Sequence, residues 1–307
     1  MKKVFITGED GMLAREIEYQ LNVDNEYSVI NGSNTNHIPK TFKTRYSWTP
    51  EFDIRNYEEV KKYLSNADIV LHTAAICGSD KCIEDIELTK ECNISGTLNV
   101  AKVCLENDIK LVYFSTTAIY DPYRTSYLGK TIFENSPQLP ITYYGATKQA
   151  GESIVRSLLP KDKLLIIRPC FIYGSARDTS SNISKILYSL LSNEKLTFLI
   201  NPELRKDYTF VGDYGRALKL LLDMNVVGDF NISAGQPIVY GDIIKIIEAV
   251  TERTILIDYV PEKDYLGEHL VDNSKICRLG WSPLVRLQKG VAQQWEEIQY
   301  VKILGSR

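Results

Sequence analysis

Metal-ligating spacing is missing from this chain. Its six cysteines (Cys77, Cys82, Cys92, Cys104, Cys170, Cys277) form no C-x-x-C, and its three histidines (His37, His72, His269) are scattered. Neither a zinc site nor a disulfide framework is therefore indicated, and reduced thiols in a cytoplasmic protein are the expectation. No apolar run approaches the ~20 residues needed to span a bilayer. Val4-Phe5-Ile6 follows Met1-Lys2-Lys3 but is cut short by Thr7-Gly8-Glu9-Asp10-Gly11, so no export is expected. Basic runs are also absent, and a net charge of −3 offers little to a nucleic-acid backbone. No repeat or low-complexity tract occurs.

What is present is a rhythm. The 307 residues, 44% of them apolar, suffice for one or two domains. Lys3–Thr7 is a β-branched run, and Met12–Leu21 carries apolar residues at Leu13, Ile17 and Leu21, which reads strand, loop, helix. A second strand, Tyr27–Ile30, precedes a polar excursion from Asn31 to Pro50 that reads as a surface loop. Strand and helix then alternate through Ile69–Thr73, Glu84–Glu106, Leu111–Ser115, Tyr144–Leu159 and Leu164–Arg168. Near-continuous apolar strands in this alternation predict an α/β fold of the Rossmann type, a doubly wound parallel sheet covered by helices on both faces. Beyond Pro169 the rhythm loosens, with helices near 183–191, 214–224, 241–250 and 288–299. The expected division is 1–168 with 206–235 as the main domain, and 169–205 with 236–307 as a smaller α/β lobe.

Tyr144 and Lys148 lie four residues apart on the helix that begins Tyr143-Tyr144-Gly145-Ala146-Thr147-Lys148, and so share a face. A phenol titrating near ~10 can move protons at neutral pH if a fixed cation stabilises its phenolate. The same spacing recurs at Tyr57/Lys61, in a charged surface pattern, and at Tyr259/Lys263, which spans Pro261 and cannot be helical. Tyr144 differs in its Pro140-Ile141-Thr142 entry and in the strand-end cluster Ser115-Thr116-Thr117 upstream. Thr7-Gly8-x-x-Gly11-x-x-Ala14 stands where a dinucleotide loop belongs, between the first strand and the first helix. The acid that often ends the second strand of such sites is replaced by Asn31. That would admit the 2′-phosphate of NADP, which Lys40, Lys43 or Arg45 could meet, while Glu9 and Asp10 would repel it. The balance slightly favours NAD over NADP.

With these residues in one order, the chain resembles the extended short-chain dehydrogenase/reductase family, the NAD-dependent epimerase/dehydratases acting on nucleotide sugars. Further matches are Phe52-Asp53-Ile54, His72-Thr73-Ala74-Ala75, Asn93, Arg168-Pro169-Cys170-Phe171-Ile172-Tyr173-Gly174, Lys206-Asp207-Tyr208 and Leu279-Gly280-Trp281-Ser282-Pro283. The resemblance implies catalysis by Thr116, Tyr144 and Lys148. It implies cofactor contacts from Gly8, Asp10, Gly11, Met12 and Leu13 in the loop, and from Asn31, Asp53 and Ile54 around adenine. Thr73, Ala74, Ala75, Asn93, Pro169 and Ile172, with Tyr144 and Lys148, complete that set. For a nucleotide-sugar substrate lying between the lobes it implies Thr117, Phe171, Arg205 and Lys206, the last two near the pyrophosphate. It also implies a homodimer. Ser79–Asp85 and Phe114–Thr117 look most like dTDP-4-dehydrorhamnose reductases, which favours a 4-ketosugar reductase in carbohydrate biosynthesis. Lys206–Val211 and Leu279–Pro283 look like C4 epimerases, the alternative. The dehydratase branch carries an Asp-Glu pair after the catalytic threonine where Thr117-Ala118 stand here, so dehydration is disfavoured. A reading of another class is a redox-inactive dinucleotide-binding regulator.

Overall fold

The computed structural model describes residues 1–8, 11–23, 26–32, 52–122, 129–176, 178, 180–192, 194–198, 201–259 and 267–305. Strand β1 (Lys2–Thr7) precedes helix α1 (Met12–Asn22), and β2 (Tyr27–Gly32) follows. Helix α2 (Tyr57–Leu64) starts at Asn56, whose side chain accepts from the Glu58 and Glu59 N–H groups. Strand β3 (Ile69–His72), strand β4 (Lys110–Phe114) and strand β5 (Leu164–Pro169) extend the sheet. Its order is Gly228–Ile232, β5, β4, β3, β1, β2, and every neighbour from β2 to β5 runs parallel. The order reverses at β1, the point where doubly wound folds place ligands outside the carboxyl ends of their strands.

Register decides what meets at that edge. Thr7 pairs with His72, and His72 with Tyr113, so the three form one row at the strand ends. Phe5, Val70, Leu111, Tyr113 and Ile166 share a core with Val60 and Leu64 of α2. Val100 and Val103 of α5 (Thr97–Glu106) and Val155 of α6 (Tyr143–Leu158) close the same core.

The single helix expected over 84–106 is broken. Asp85 is extended (φ −139°, ψ 90°), separating α3 (Ser79–Glu84) from α4 (Ile86–Lys90), and it caps the Leu88 N–H. A π-helical turn, Glu91–Gly96, then leads into α5. Such turns concentrate at functional sites. The polar excursion expected after β2 falls mostly on 33–51, outside the described residues.

The chain divides into two compact units, 1–120 with 138–168 and 215–230, and 121–137 with 169–214 and 231–307. The second unit thus holds 121–137, 206–214 and 231–235, which the sequence assigns to the main domain. Backbone pairing is the reason. Ile132 bonds Leu270 and Asp272, each at 2.8 Å, Arg205–Lys206 pairs with Ile238–Val239, and Thr209–Phe210 with Ile172–Tyr173. Tyr173, Ile186, Tyr240, Ile243, Val291 and Trp295 are buried at the centre of this unit. All six cysteines are free thiols. Among the described residues no helix is long and apolar enough to cross a membrane, and no three His, Cys, Asp or Glu residues gather to hold a metal ion.

Candidate active site

Helix α6 starts where Thr142 Oγ1 accepts from the Gly145 N–H at 3.1 Å. Gly145 is small because the helix lies against the turn after Thr116. A Cβ there would stand 2.4 Å from the Ala118 carbonyl oxygen. That approach sets Tyr144 beside the strand-end turn, Thr117–Ile119, which Thr116 itself caps by accepting from the Ala118 N–H at 3.2 Å. Tyr144, Lys148 and Glu152 then follow on successive turns of one face.

Tyr144 is half-buried and its O–H donates to Cys77 Sγ at 3.8 Å, while Cys77 S–H reaches the Ala75 carbonyl at 3.7 Å. Lys148 is 2% exposed, with Nζ 4.3 Å from the centre of the Tyr113 ring. Burial lowers Lys148 to about 8 against the opposing pull of Cys77, Glu152 and Cys82. Burial, then Cys77, pushes the Tyr144 phenol well above its ordinary value. The expected depression of Tyr144 by Lys148 is not seen here, because the phenol turns to a thiol and the ammonium to a ring.

The glycine loop has its own geometry. Gly8 has φ +75°, and a Cβ on it would meet Ala74 Cα at 2.6 Å. Helix α1 is capped by Gly11, with no side-chain cap bond among the described residues and no acid in its first turn, so its leading N–H groups, from Met12 and Leu13, lie at an end that favours an anionic ligand. Beside it runs a buried chain of hydroxyls. Thr97 Oγ1 donates to the Asn93 carbonyl at 2.8 Å, so it accepts from His72 Nε2–H at 3.0 Å, and His72 Nδ1 accepts from Thr7 Oγ1 at 2.8 Å. Burial, with the nearby Lys148 charge, lowers His72 to about 3, which keeps it neutral.

Other residues expected at the site have partners within the chain. The fully buried Asn93 accepts from the Ile76 N–H at 2.8 Å and donates to Ile76 O and Thr147 Oγ1, each at 3.0 Å. It locks the loop after β3 to α6. Thr73 Oγ1 donates to the Thr7 carbonyl, Ala74 backs Gly8, and Ala75 is half-buried beside them. Asn31 is buried at the end of β2. The Asp53 carboxylate is paired with Arg55 at 2.6 Å, and Ile54 packs against Gly96. Asp10, Lys40, Lys43 and Arg45 lie outside the described residues.

Thr117 is buried under its own turn. In the second unit Pro169 opens the segment to Ile172, which pairs with Thr209, and Phe171 stacks near Tyr208 and His269 at 5.3 and 5.5 Å. Arg205 is held by both Glu268 oxygens, at 2.9 and 3.0 Å, and the buried Lys206 ammonium donates to the Gly267 carbonyl. Both cations, expected near a pyrophosphate, thus have partners within the chain. Sequence reasoning passed over Tyr113, Cys77 and Glu152. Glu152 was legible as the third member of the four-residue series after Tyr144 and Lys148.

A family model described as the NAD dependent epimerase/dehydratase family matches residues 4–233. A UDP-glucuronate 4-epimerase of Thermodesulfobacterium geofontis is 25% identical over 82% of this chain and 80% of its own. A dTDP-4-dehydrorhamnose reductase of Aggregatibacter actinomycetemcomitans is 22% identical over 75% and 70%. A crystal structure of Thermus thermophilus UDP-glucose 4-epimerase in complex with NAD superposes with a TM-score of 0.85 at 21% identity, covering 97% of this chain and 99% of that one.

Proposed function

The chain belongs to the NAD-dependent epimerase/dehydratase family, and on that premise we propose that it is a nicotinamide-dependent 4-epimerase of a nucleotide-activated hexose. The observation that carries the reading is the row Tyr144–Lys148 on one helix face, brought beside Thr116 by the close approach of Gly145 to Ala118. Tyr144 takes the proton of the sugar hydroxyl and returns it. Thr116 donates to the developing alkoxide, and Lys148 stabilises the phenolate and holds ribose hydroxyls. The side-chain-free Gly8 and the start of α1 fit a dinucleotide pyrophosphate, with Gly11, Met12 and Leu13 supplying backbone donors. The bound nicotinamide would accept and return the hydride. Glu9 and Asp10 favour NAD, since either would repel a 2′-phosphate.

The choice of epimerisation over net reduction rests on the breadth of the match, because the 4-epimerase relative covers more of this chain than the ketosugar reductase does. Reduction of a 4-ketosugar is the second reading, favoured by the likeness in Ser79–Asp85 and Phe114–Thr117. Incubation with NAD and UDP-hexoses, followed by separation of the epimers, tests the first. Interconversion without net change in NADH absorbance is expected. Stoichiometric loss of NADH on adding a nucleotide-linked 4-keto-6-deoxysugar, with no epimerisation, would replace it by the second.

A further inference from the structure

Lys148 is buried without an acid of its own. Among the described residues no carboxylate stands within ion-pair distance of its ammonium, and Glu152, one turn along, is already held by Arg168 at 2.7 Å and Arg156 at 3.1 Å. What faces the ammonium is the Tyr113 ring, 4.3 Å from Nζ to the centroid. Lys148 is 2% exposed and Tyr113 0%. A ring face carries negative partial charge, and its attraction for a cation grows as water is excluded.

The surroundings hold that ring in place. Its O–H donates to the Lys148 carbonyl at 3.3 Å, and the His72 ring lies 5.9 Å away on the neighbouring strand. Gly151 gives the hydroxyl its room, since a Cβ there would stand 2.0 Å from it. Burial pushes the Tyr113 phenol up, so the ring stays neutral. The other titratable groups near Lys148 are His72 from β3, Cys77 after it, Cys82 from α3, and Tyr144 and Glu152 on its own helix. His72 is neutral, Cys82 is pushed up to about 11 by burial, and Glu152 is shared between two arginines.

We propose that Tyr113 is a positioning residue for the acid/base pair, its ring face serving as the counter-charge that keeps Lys148 an ammonium and aims it. This rests on the role given to Lys148 above. A carboxylate in that place would bind the ammonium by charge-assisted hydrogen bonds and occupy its donors. A ring face forms no charge-assisted hydrogen bond with the ammonium, so the N–H groups turned away from the ring can hold ribose and support the phenolate.

The test is the titration of Lys148 itself in the full chain without added cofactor, followed by the NMR shift of its Cε and assigned by its loss in Lys148→Met. Tyr113→Phe keeps the ring and is expected to titrate within ~0.3 unit of the parent. Tyr113→trifluorophenylalanine keeps the shape but strips the ring face of its negative charge, and should titrate about one unit lower. Equal midpoints across the three would overturn the proposal. So would a fall already complete in Tyr113→Phe, which would assign the effect to the hydroxyl. Because the titration needs no turnover, its failure is separable from that of the catalytic reading, which the activity of Tyr144→Phe decides.

Discussion

Arg168 holds Glu152 through two nitrogens, Nε 2.8 Å from one carboxylate oxygen and Nη2 2.7 Å from the other. Both side chains are 1% exposed. Burial would raise the Glu152 carboxyl, but Arg168, joined by Ser115 and Arg156, more than offsets it and the group ends below its ordinary value. Tyr120 accepts from Arg168 Nη1 at 2.7 Å, and Gln138 donates to Glu152 at 3.2 Å. The pair therefore ties the helix of Tyr144 and Lys148 to the end of β5.

Breaking the pair by removing Arg168 leaves the buried Glu152 charge with only the partly exposed Arg156 beside it. Arg168→Met is expected to destabilise the chain by about 3–5 kcal/mol, and Arg168→Met combined with Glu152→Met by less than the sum of the single changes. Urea unfolding measures both. Additive losses would show that the two charges do not act as a unit.

Tyr144→Phe removes the hydroxyl and keeps the ring. Turnover should fall by ~10² or more while dinucleotide affinity stays within a few-fold. Unchanged turnover in a variant that still binds NADH would take Tyr144 out of the mechanism.

Burial lowers Lys148 from an ordinary value of 10.5 to about 8. As pH climbs through that value the ammonium is lost, so dinucleotide affinity should weaken across it. Fluorescence titration with NADH at several pH values reads this directly. In Lys148→Met the dependence should flatten; a slope as steep as the parent's would assign it to another group.

His72 falls from 6.5 in the open chain to about 3 when folded. Below pH 6.5 the unfolded state binds a proton that the folded state refuses. Stability is therefore undiminished above that value and drains as pH drops, by ~1.4 kcal/mol per unit, until about 3. Glu152 adds to the acid loss lower down, so the comparison is with His72→Gln. Its stability should change less steeply between pH 6 and 4, by about one proton's worth.

Gly151→Ala drives a methyl into the Tyr113 hydroxyl, and it should cost about 1–3 kcal/mol by overpacking. Adding Tyr113→Phe should recover part of the loss. Recovery is incomplete because the ring carbon behind the hydroxyl remains 2.8 Å from the added methyl. Thermal melting of the three variants checks it.

Much of the first unit could be read in advance, because its signals are local. Thr7-Gly8 stops β1 and Thr142 starts the helix of Tyr144, so those limits fell within a residue or two of the observed ones. The break at Asp85 and the π-turn were hidden, since apolar spacing continues through both. Tyr113 read as strand core, which it is; that its ring also faces Lys148 depends on a helix more than 30 residues later. Lys206 likewise needs Gly267, 61 residues away, before its burial is visible.

The π-turn at Glu91–Gly96 accommodates one residue more than an α-helix would in the same length. Deleting one residue there would let the helix wind regularly, and everything ahead of the cut would swing by about 100° around its axis. Asn93 would then face away from Ile76 and Thr147. The extra residue works as a phase adjustment, letting one helix follow the core with its later half and address the loop after β3 with its earlier half. A single-residue deletion at this point should therefore harm the chain more than most substitutions within the turn.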